Sequence, residues 1–219
     1  MRALGLALFL LLTALAAGCG GDDDDSGGSG DTTAAAGECE SVESPSPREP
    51  ETREVPSEPL DASREHALVV QTSCGSFTID LDPEQAPETT ASLVTLASDG
   101  YFDDTTFHRV VPGFVIQGGD PTGTGAGAPG YTTVDVPAAG SRYVRGVVAM
   151  AKSGAEPPGS AGSQFFVVTG EDAGLPPEYA IVGDVTEGME TVDRIDALGI
   201  GDGPPSQPVV ITTITAEES

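Results

Sequence analysis

Apolar and polar positions fall into three regimes along this chain. Ala3 to Ala17 is almost uninterrupted apolar sequence, residues 20–65 show no hydrophobic period, and from Ala67 short apolar runs recur between turn residues. Ala67-Leu68-Val69-Val70-Gln71-Thr72 and Ser76-Phe77-Thr78-Ile79-Asp80-Leu81 flank Cys74-Gly75 and predict a β-hairpin. Pro87 opens a helical stretch through Leu93, Leu96 and Ala97, with Gly100 at the stop position. Further β-rich runs lie at 107–111, 144–151, 164–169, 180–185 and 209–214, and a second helix is predicted over 189–198. Many short strands, Gly/Pro turns and two helices predict one mostly β domain over residues 66–217, folded as a closed antiparallel barrel.

The first apolar run is too short for a membrane span, which needs about 20 residues, and it fits the core of a signal peptide behind Met1-Arg2. Ala16-Ala17-Gly18 then stand directly before Cys19. This resembles a bacterial lipobox, whose cysteine is acylated and becomes the mature N-terminus, although Ala16 stands where the pattern usually has Leu. The reading that follows is a lipoprotein signal peptide at 1–18, lipidation at Cys19 and a location outside the cytoplasm, lipid-anchored to the bacterial cell membrane. The alternative is an ordinary secretory signal cut near Gly18. Residues 19–65 read as a disordered acidic tether: Gly and Ser surround Asp22 to Asp25, and Ser44 to Pro59 carries five prolines. Outside the cytoplasm the two remaining cysteines, Cys39 and Cys74, are expected to oxidise to a bridge between tether and domain, with two free thiols as the alternative.

Charge narrows the function classes. The formal net charge is −26 and Lys152 is the only lysine, a balance that repels phosphate backbones and excludes nucleic-acid binding. The four aspartates lack the spaced ligands of a calcium loop. Gly123 to Gly130 is glycine-rich but lacks the Lys-Ser/Thr ending of a phosphate loop. Cys39, Cys74, His66 and His108 lack metal-ligand spacing, so no metal or cofactor is implied. Nothing marks a coiled coil or an exposed apolar stripe, so a monomer is expected, touching a membrane only through its N-terminal lipid.

The chemistry is carried by Phe107-His108-Arg109-Val110-Val111-Pro112-Gly113-Phe114-Val115-Ile116-Gln117-Gly118-Gly119-Asp120. Two blocks follow in register, Gly162-Ser163-Gln164-Phe165-Phe166-Val167 and Tyr179-Ala180-Ile181-Val182-Gly183-Asp184-Val185. Together they resemble the cyclophilin family of peptidyl-prolyl cis/trans isomerases, over the stretch from Ala67 to Ala216. The resemblance implies an eight-stranded barrel capped by two helices, and proline-containing unfolded or exported polypeptides as partners.

The reaction makes sense of these residue types. Rotation about a prolyl bond is opposed by amide resonance, a barrier of about 18–20 kcal/mol, and needs neither a proton transfer nor a covalent intermediate. A catalyst must hold the proline in an apolar pocket beside a fixed, charged hydrogen-bond donor that favours the twisted bond. The resemblance makes Arg109 that donor, with Phe114 and Gln117 completing the catalytic set. It places Val115, Ala151, Gln164, Phe166, Leu175, Tyr179 and His108 along the substrate, while Phe165 and Val167 read as core. His108 has no proton to move in this reaction and reads as structural within that set. The family often has Trp where Gly174 stands, which implies weakened cyclosporin binding here. Two rival readings accompany the enzyme: a non-catalytic proline-binding chaperone or assembly module on the same fold, and a protein whose acidic arm is the functional part.

Overall fold

The computed structural model describes residues 38–219. Eleven strands and two helices follow one another as β1 (His66–Thr72), β2 (Gly75–Leu81), α1 (Pro87–Ser98), β3 (Thr105–Thr106), β4 (Arg109–Val111), β5 (Val115–Gly118), β6 (Thr133–Val134), β7 (Val147–Met150), β8 (Ser160–Ala161), β9 (Phe165–Val168), β10 (Ile181–Glu187), α2 (Met189–Asp196) and β11 (Val210–Glu218). Nine strands form one curled sheet in the order β3-β11-β1-β2-β10-β7-β9-β5-β4, and β6 pairs with β8 apart from it. Every pairing is antiparallel. α1 begins at Pro87 and ends before Gly100, where the amides of Gly100 and Tyr101 return to the carbonyls of Ala97 and Leu96.

The closed eight-stranded barrel that the resemblance implies is seen here as a curled sheet. The main sheet has nine strands, and its edges β3 and β4 do not pair with each other. Among the described residues, one isolated bridge, Thr106 with Asp120, joins β3 to the segment after β5. β3 spans two residues, the Phe107 amide still donates to the Val209 carbonyl at 3.0 Å, and the chain resumes as β4 at Arg109.

The central strands bury both faces. In β9, Phe165 and Val167 enter the main core, whereas Phe166 and Val168 join a second, smaller cluster. In β7, Val148 and Met150 face the first core and Val147 and Ala149 the second; in β5, Ile116 and Val115 divide in the same way. Successive side chains of a strand point to opposite faces, so double burial reads in the sequence as an unbroken apolar run. The second cluster is the floor of the site described below.

The described residues include 38–65, the later part of the expected tether, while its earlier part, like Cys19 and the leader, lies outside them. Residues 38–65 carry no regular secondary structure, yet they run along the domain as a strap. Cys39 is disulfide-bonded to Cys74, with an S–S distance of 2.05 Å. The amide of Glu40 donates to the Ser73 carbonyl at 2.7 Å, that of Arg48 to Pro121 at 3.0 Å and that of Arg53 to Pro129 at 2.8 Å. The guanidinium groups of Arg48 and Arg53 lie 5.8 and 5.7 Å from the centre of the buried Tyr101 ring, and Cys39 and Leu60 pack against the main core. Such a segment needs no core of its own, because it borrows the domain's, and its prolines narrow the unfolded ensemble that ordering must overcome.

Replacing Cys39 and Cys74 together by Ser is expected to lower the unfolding free energy by about 2–4 kcal/mol, the usual contribution of a loop-closing disulfide. Chemical denaturation measures this, and an unchanged midpoint would show that the strap is not part of the cooperative fold.

Candidate active site

Arg109 enters from β4, and register places it opposite Gln117 on β5, which in turn faces Phe166 on β9. The connection between β4 and β5 is a four-residue turn: Phe114 donates its amide to the Val111 carbonyl at 3.0 Å, with Pro112 second and Gly113 third. The third position needs positive φ, which Gly113 supplies at +68°. The turn brings Phe114 back beside Arg109, whose guanidinium carbon lies 6.0 Å from the ring centre.

A groove of about 300 Å³ opens over the second apolar cluster, lined by Arg109, Phe114, Val115, Gln117, Ala151, Lys152, Phe166, Leu175 and Tyr179. Tyr179 stands edge-on to Phe166 at 5.8 Å. The hydroxyl of buried Tyr143 fixes it there, donating to the Tyr179 carbonyl at 2.8 Å and accepting from its amide at 3.0 Å. Gly174 has open space where its side chain would be, so the lip before Leu175 is bare.

A polar line crosses this apolar setting. Arg109 Nη1 donates to Gln117 Oε1 at 3.3 Å, and Gln117 Nε2 donates to Gln164 Oε1 at 3.1 Å. Gln164 Nε2 then donates to the carbonyls of Gly125 and Gly127, both at 3.0 Å. At its other end Arg109 meets Asp202, with Nε to Oδ1 at 2.6 Å and Nη2 to Oδ2 at 3.1 Å. The guanidinium holds the Asp202 carboxyl below its ordinary range.

The 120–127 loop that receives Gln164 is organised from beneath by Asp120, which is buried. Its carboxylate accepts backbone N–H bonds from Thr122 at 2.7 Å, Thr124 at 3.1 Å, Gly125 at 2.6 Å and Gly127 at 3.1 Å. A β-carbon on Gly127 would fall 1.9 Å from Asp120 Oδ1, so the loop closes on its anchor only with glycine there. Burial opposes ionisation of Asp120, but the hydrogen bonds from Thr122, Gly127 and Gly125 outweigh it and keep the carboxyl below its ordinary value.

Of the residues singled out from the sequence, Arg109, Phe114, Val115, Gln117, Ala151, Phe166, Leu175 and Tyr179 share the groove. Gln164 lines an adjoining cavity of about 380 Å³ together with Gln117 and Ala151. His108 lines neither cavity: its ring sits beneath the loop, where a β-carbon on Gly125 would come within 3.6 Å. Both its ring nitrogens are buried without a partner, and burial lowers its basicity, as suits a neutral packing residue. Phe165 and Val167 lie in the main core. Among the described residues, no group of three or more His, Cys, Asp or Glu is placed to hold a metal ion.

Asp202 and Tyr143 complete the site without any signal of their own in the sequence, while Asp120 ends the signature run and Lys152 is the only lysine of the chain. The Lys152 side chain is 3% exposed, with Nζ 3.3 Å from Glu178 and 5.3 Å from the Tyr179 ring centre. The positive donor, apolar wall and ordered amide groups are what a twisting prolyl bond requires: a grip on the ring, a fixed charge and few free waters.

Comparison with known proteins decides the family. Residues 67–216 match the family model described as cyclophilin type peptidyl-prolyl cis-trans isomerase. The chain belongs to that family. An Aspergillus fumigatus relative, peptidyl-prolyl cis-trans isomerase-like 1, is 40% identical over 132 residues, covering 58% of this chain and 80% of its own. A mouse relative, peptidyl-prolyl cis-trans isomerase-like 3, is 34% identical over 140 residues, covering 62% of this chain and 85% of its own. The crystal structure of a Cryptosporidium parvum cyclophilin-type isomerase superposes with a TM-score of 0.65 at 30% identity, covering 71% of this chain and 99% of that one. A second structure of that protein was obtained in the presence of the dipeptide Ala-Pro. In the present chain Arg109, Phe114 and Gln117 share one groove.

Because the native carboxyl of Asp120 lies below its unfolded value, its contribution to stability is expected to be full above about pH 4 and lost as pH falls through the native value. Asp120→Asn is expected to be less stable at pH 7 by about 1–3 kcal/mol, through unpaired loop amides, and to show a flatter acid limb. Denaturation curves from pH 3 to 7 test both, and parallel curves for the two proteins would refute the anchoring role.

Proposed function

We propose that this protein catalyses cis/trans isomerisation of prolyl bonds in exported polypeptides, outside the cytoplasm and held at the bacterial membrane by lipid on Cys19. The observation that carries the catalytic reading is a charged donor, Arg109, standing beside the apolar wall of the groove with its guanidinium bonded from both sides. The proline ring sits against Phe114, Val115, Phe166 and Leu175. Arg109 donates to the prolyl amide as the bond twists and its nitrogen loses conjugation, and Gln117 and Gln164 orient the donor and the peptide backbone. The donor is stronger for the twisted amide than for the planar one, and that difference is what lowers the barrier. The Ala-Pro dipeptide used with the parasite relative supports proline-containing chains as the substrate class.

Support for the location comes from the sequence: an apolar run after Met1-Arg2, and small residues before Cys19. A disulfide between Cys39 and Cys74 accords with an oxidising compartment.

The full chain is expected to accelerate isomerisation of a proline tetrapeptide, and Arg109→Ala to reduce kcat/KM by about 10²–10³, as for loss of one preorganised donor. A folded wild type no faster than the thermal rate would leave a proline-binding chaperone in place of the enzyme. In cells, Cys19→Ala is expected to move the protein from the membrane fraction to the soluble one and to abolish labelling by radioactive fatty acid. Retention of label in the variant would reject the anchor.

A further inference from the structure

Asp202 lies outside every motif that identifies the family, on the connection between α2 and β11, yet it makes the shortest contact to Arg109. Its position is built into the backbone. Gly203 forms an isolated antiparallel bridge with Val110, whose amide donates to the Gly203 carbonyl at 2.8 Å. In that register Arg109 and Asp202 are diagonal neighbours on one face, a separation that long side chains span. The connection is closed on itself by the Ser206 amide donating to the Leu198 carbonyl at 2.8 Å. Gly199 abuts Pro112 so closely that a β-carbon would fall 2.6 Å from its ring. The carboxylate is therefore carried by a loop fixed to β4 and to the β4–β5 turn, the same elements that carry Arg109 and Phe114.

Consider what Arg109 would do without it. An arginine side chain has several rotatable bonds, and ordering it at the moment of reaction costs rate. Of its five N–H groups, Nε–H and one on Nη2 go to Asp202 and one on Nη1 goes to Gln117. The two grips hold the planar group from opposite ends and leave two N–H groups for the groove. Among the described residues no other carboxylate lies within 4.0 Å of this guanidinium. The pair is too exposed to matter much to folding, with side-chain exposures of 30% for Arg109 and 67% for Asp202. A bidentate contact of that geometry at the rim of a groove therefore has its effect on orientation.

We infer that Asp202 is a positioning residue for the isomerase reaction, holding the Arg109 guanidinium in the orientation that meets the twisted prolyl bond. This rests on the reading of Arg109 as the catalytic donor. Since the carboxylate acts on the enzyme and not on the peptide, its removal lowers kcat and leaves KM nearly unchanged.

The test uses the full chain and its Asp202→Asn, Asp202→Ala, Asp202→Glu and Arg109→Ala variants. Steady-state and line-shape measurements with a proline peptide give kcat and KM, and nitrogen-15 NMR follows the Arg109 Nε–H proton. Asp202→Asn and Asp202→Ala are expected to lose on the order of tenfold in kcat, with KM within about twofold, as a misoriented catalytic group would. The Nε–H signal, slow to exchange in the wild type, is expected to broaden away in both, while the melting temperature stays put. Asp202→Glu, which keeps the charge, is expected to recover part of the rate and the signal. An Asp202→Asn variant with wild-type kcat, or one that slows while its Nε–H stays protected, would overturn the inference and leave the catalytic reading intact. A folded wild type without activity, or an Arg109→Ala variant as fast as wild type, would overturn both.

Discussion

A strand that buries both its faces has to divide its side chains between two environments, and most of this structure follows from that division. β5, β7 and β9 send alternate residues into the main core and into the smaller cluster around Tyr143 and Phe166. The first set holds the curled sheet to its helices. The second makes a floor that is apolar, rigid and open to solvent on its far side, which is the setting a proline ring needs. Shifting any of these strands by one residue would exchange the two sets, so the register that stabilises the fold also selects which residues form the groove.

On that floor lies a single polar thread, from Asp202 through Arg109, Gln117 and Gln164 to the carbonyls of Gly125 and Gly127. Its two ends differ in character. Asp202 is exposed and reaches Arg109 through a bridged loop, whereas Asp120, beneath the other end, is buried and gathers four loop amides. The strap over residues 38–65 supports the same loop from outside, taking hold of Pro121 and Pro129 through the amides of Arg48 and Arg53. The groove is thus assembled from distant parts of the chain.

Much of this was legible beforehand. The hairpin about Cys74-Gly75, the helix from Pro87 and the groove residues Arg109, Phe114, Gln117 and Phe166 all sit where pattern and motif put them, because each depends on neighbours close in sequence or on a family signature read in register. Three features were not legible in the same way. The main sheet is a curled ladder of nine strands whose edge strand β3 spans two residues. His108 turns away from the groove beside its neighbour Arg109, a consequence of side-chain direction that residue identity does not encode. Residues 38–65 lie against the domain despite a disordered composition, for their partners Ser73, Tyr101, Pro121 and Pro129 are far along the chain.

The sequence by itself determined the family, the mostly β architecture and the set of residues, Arg109 with Phe114, Gln117 and Phe166, that share one groove. These reside in local periodicity and in contiguous motifs. Tertiary structure alone decided how Arg109 is held, what anchors the 120–127 loop and that the acidic segment is a strap. Asp202 and the strap reach partners tens of positions away, chosen by strand register and loop closure, whereas Asp120 gathers backbone amides two to seven residues on; none of these leaves a periodic trace in the chain.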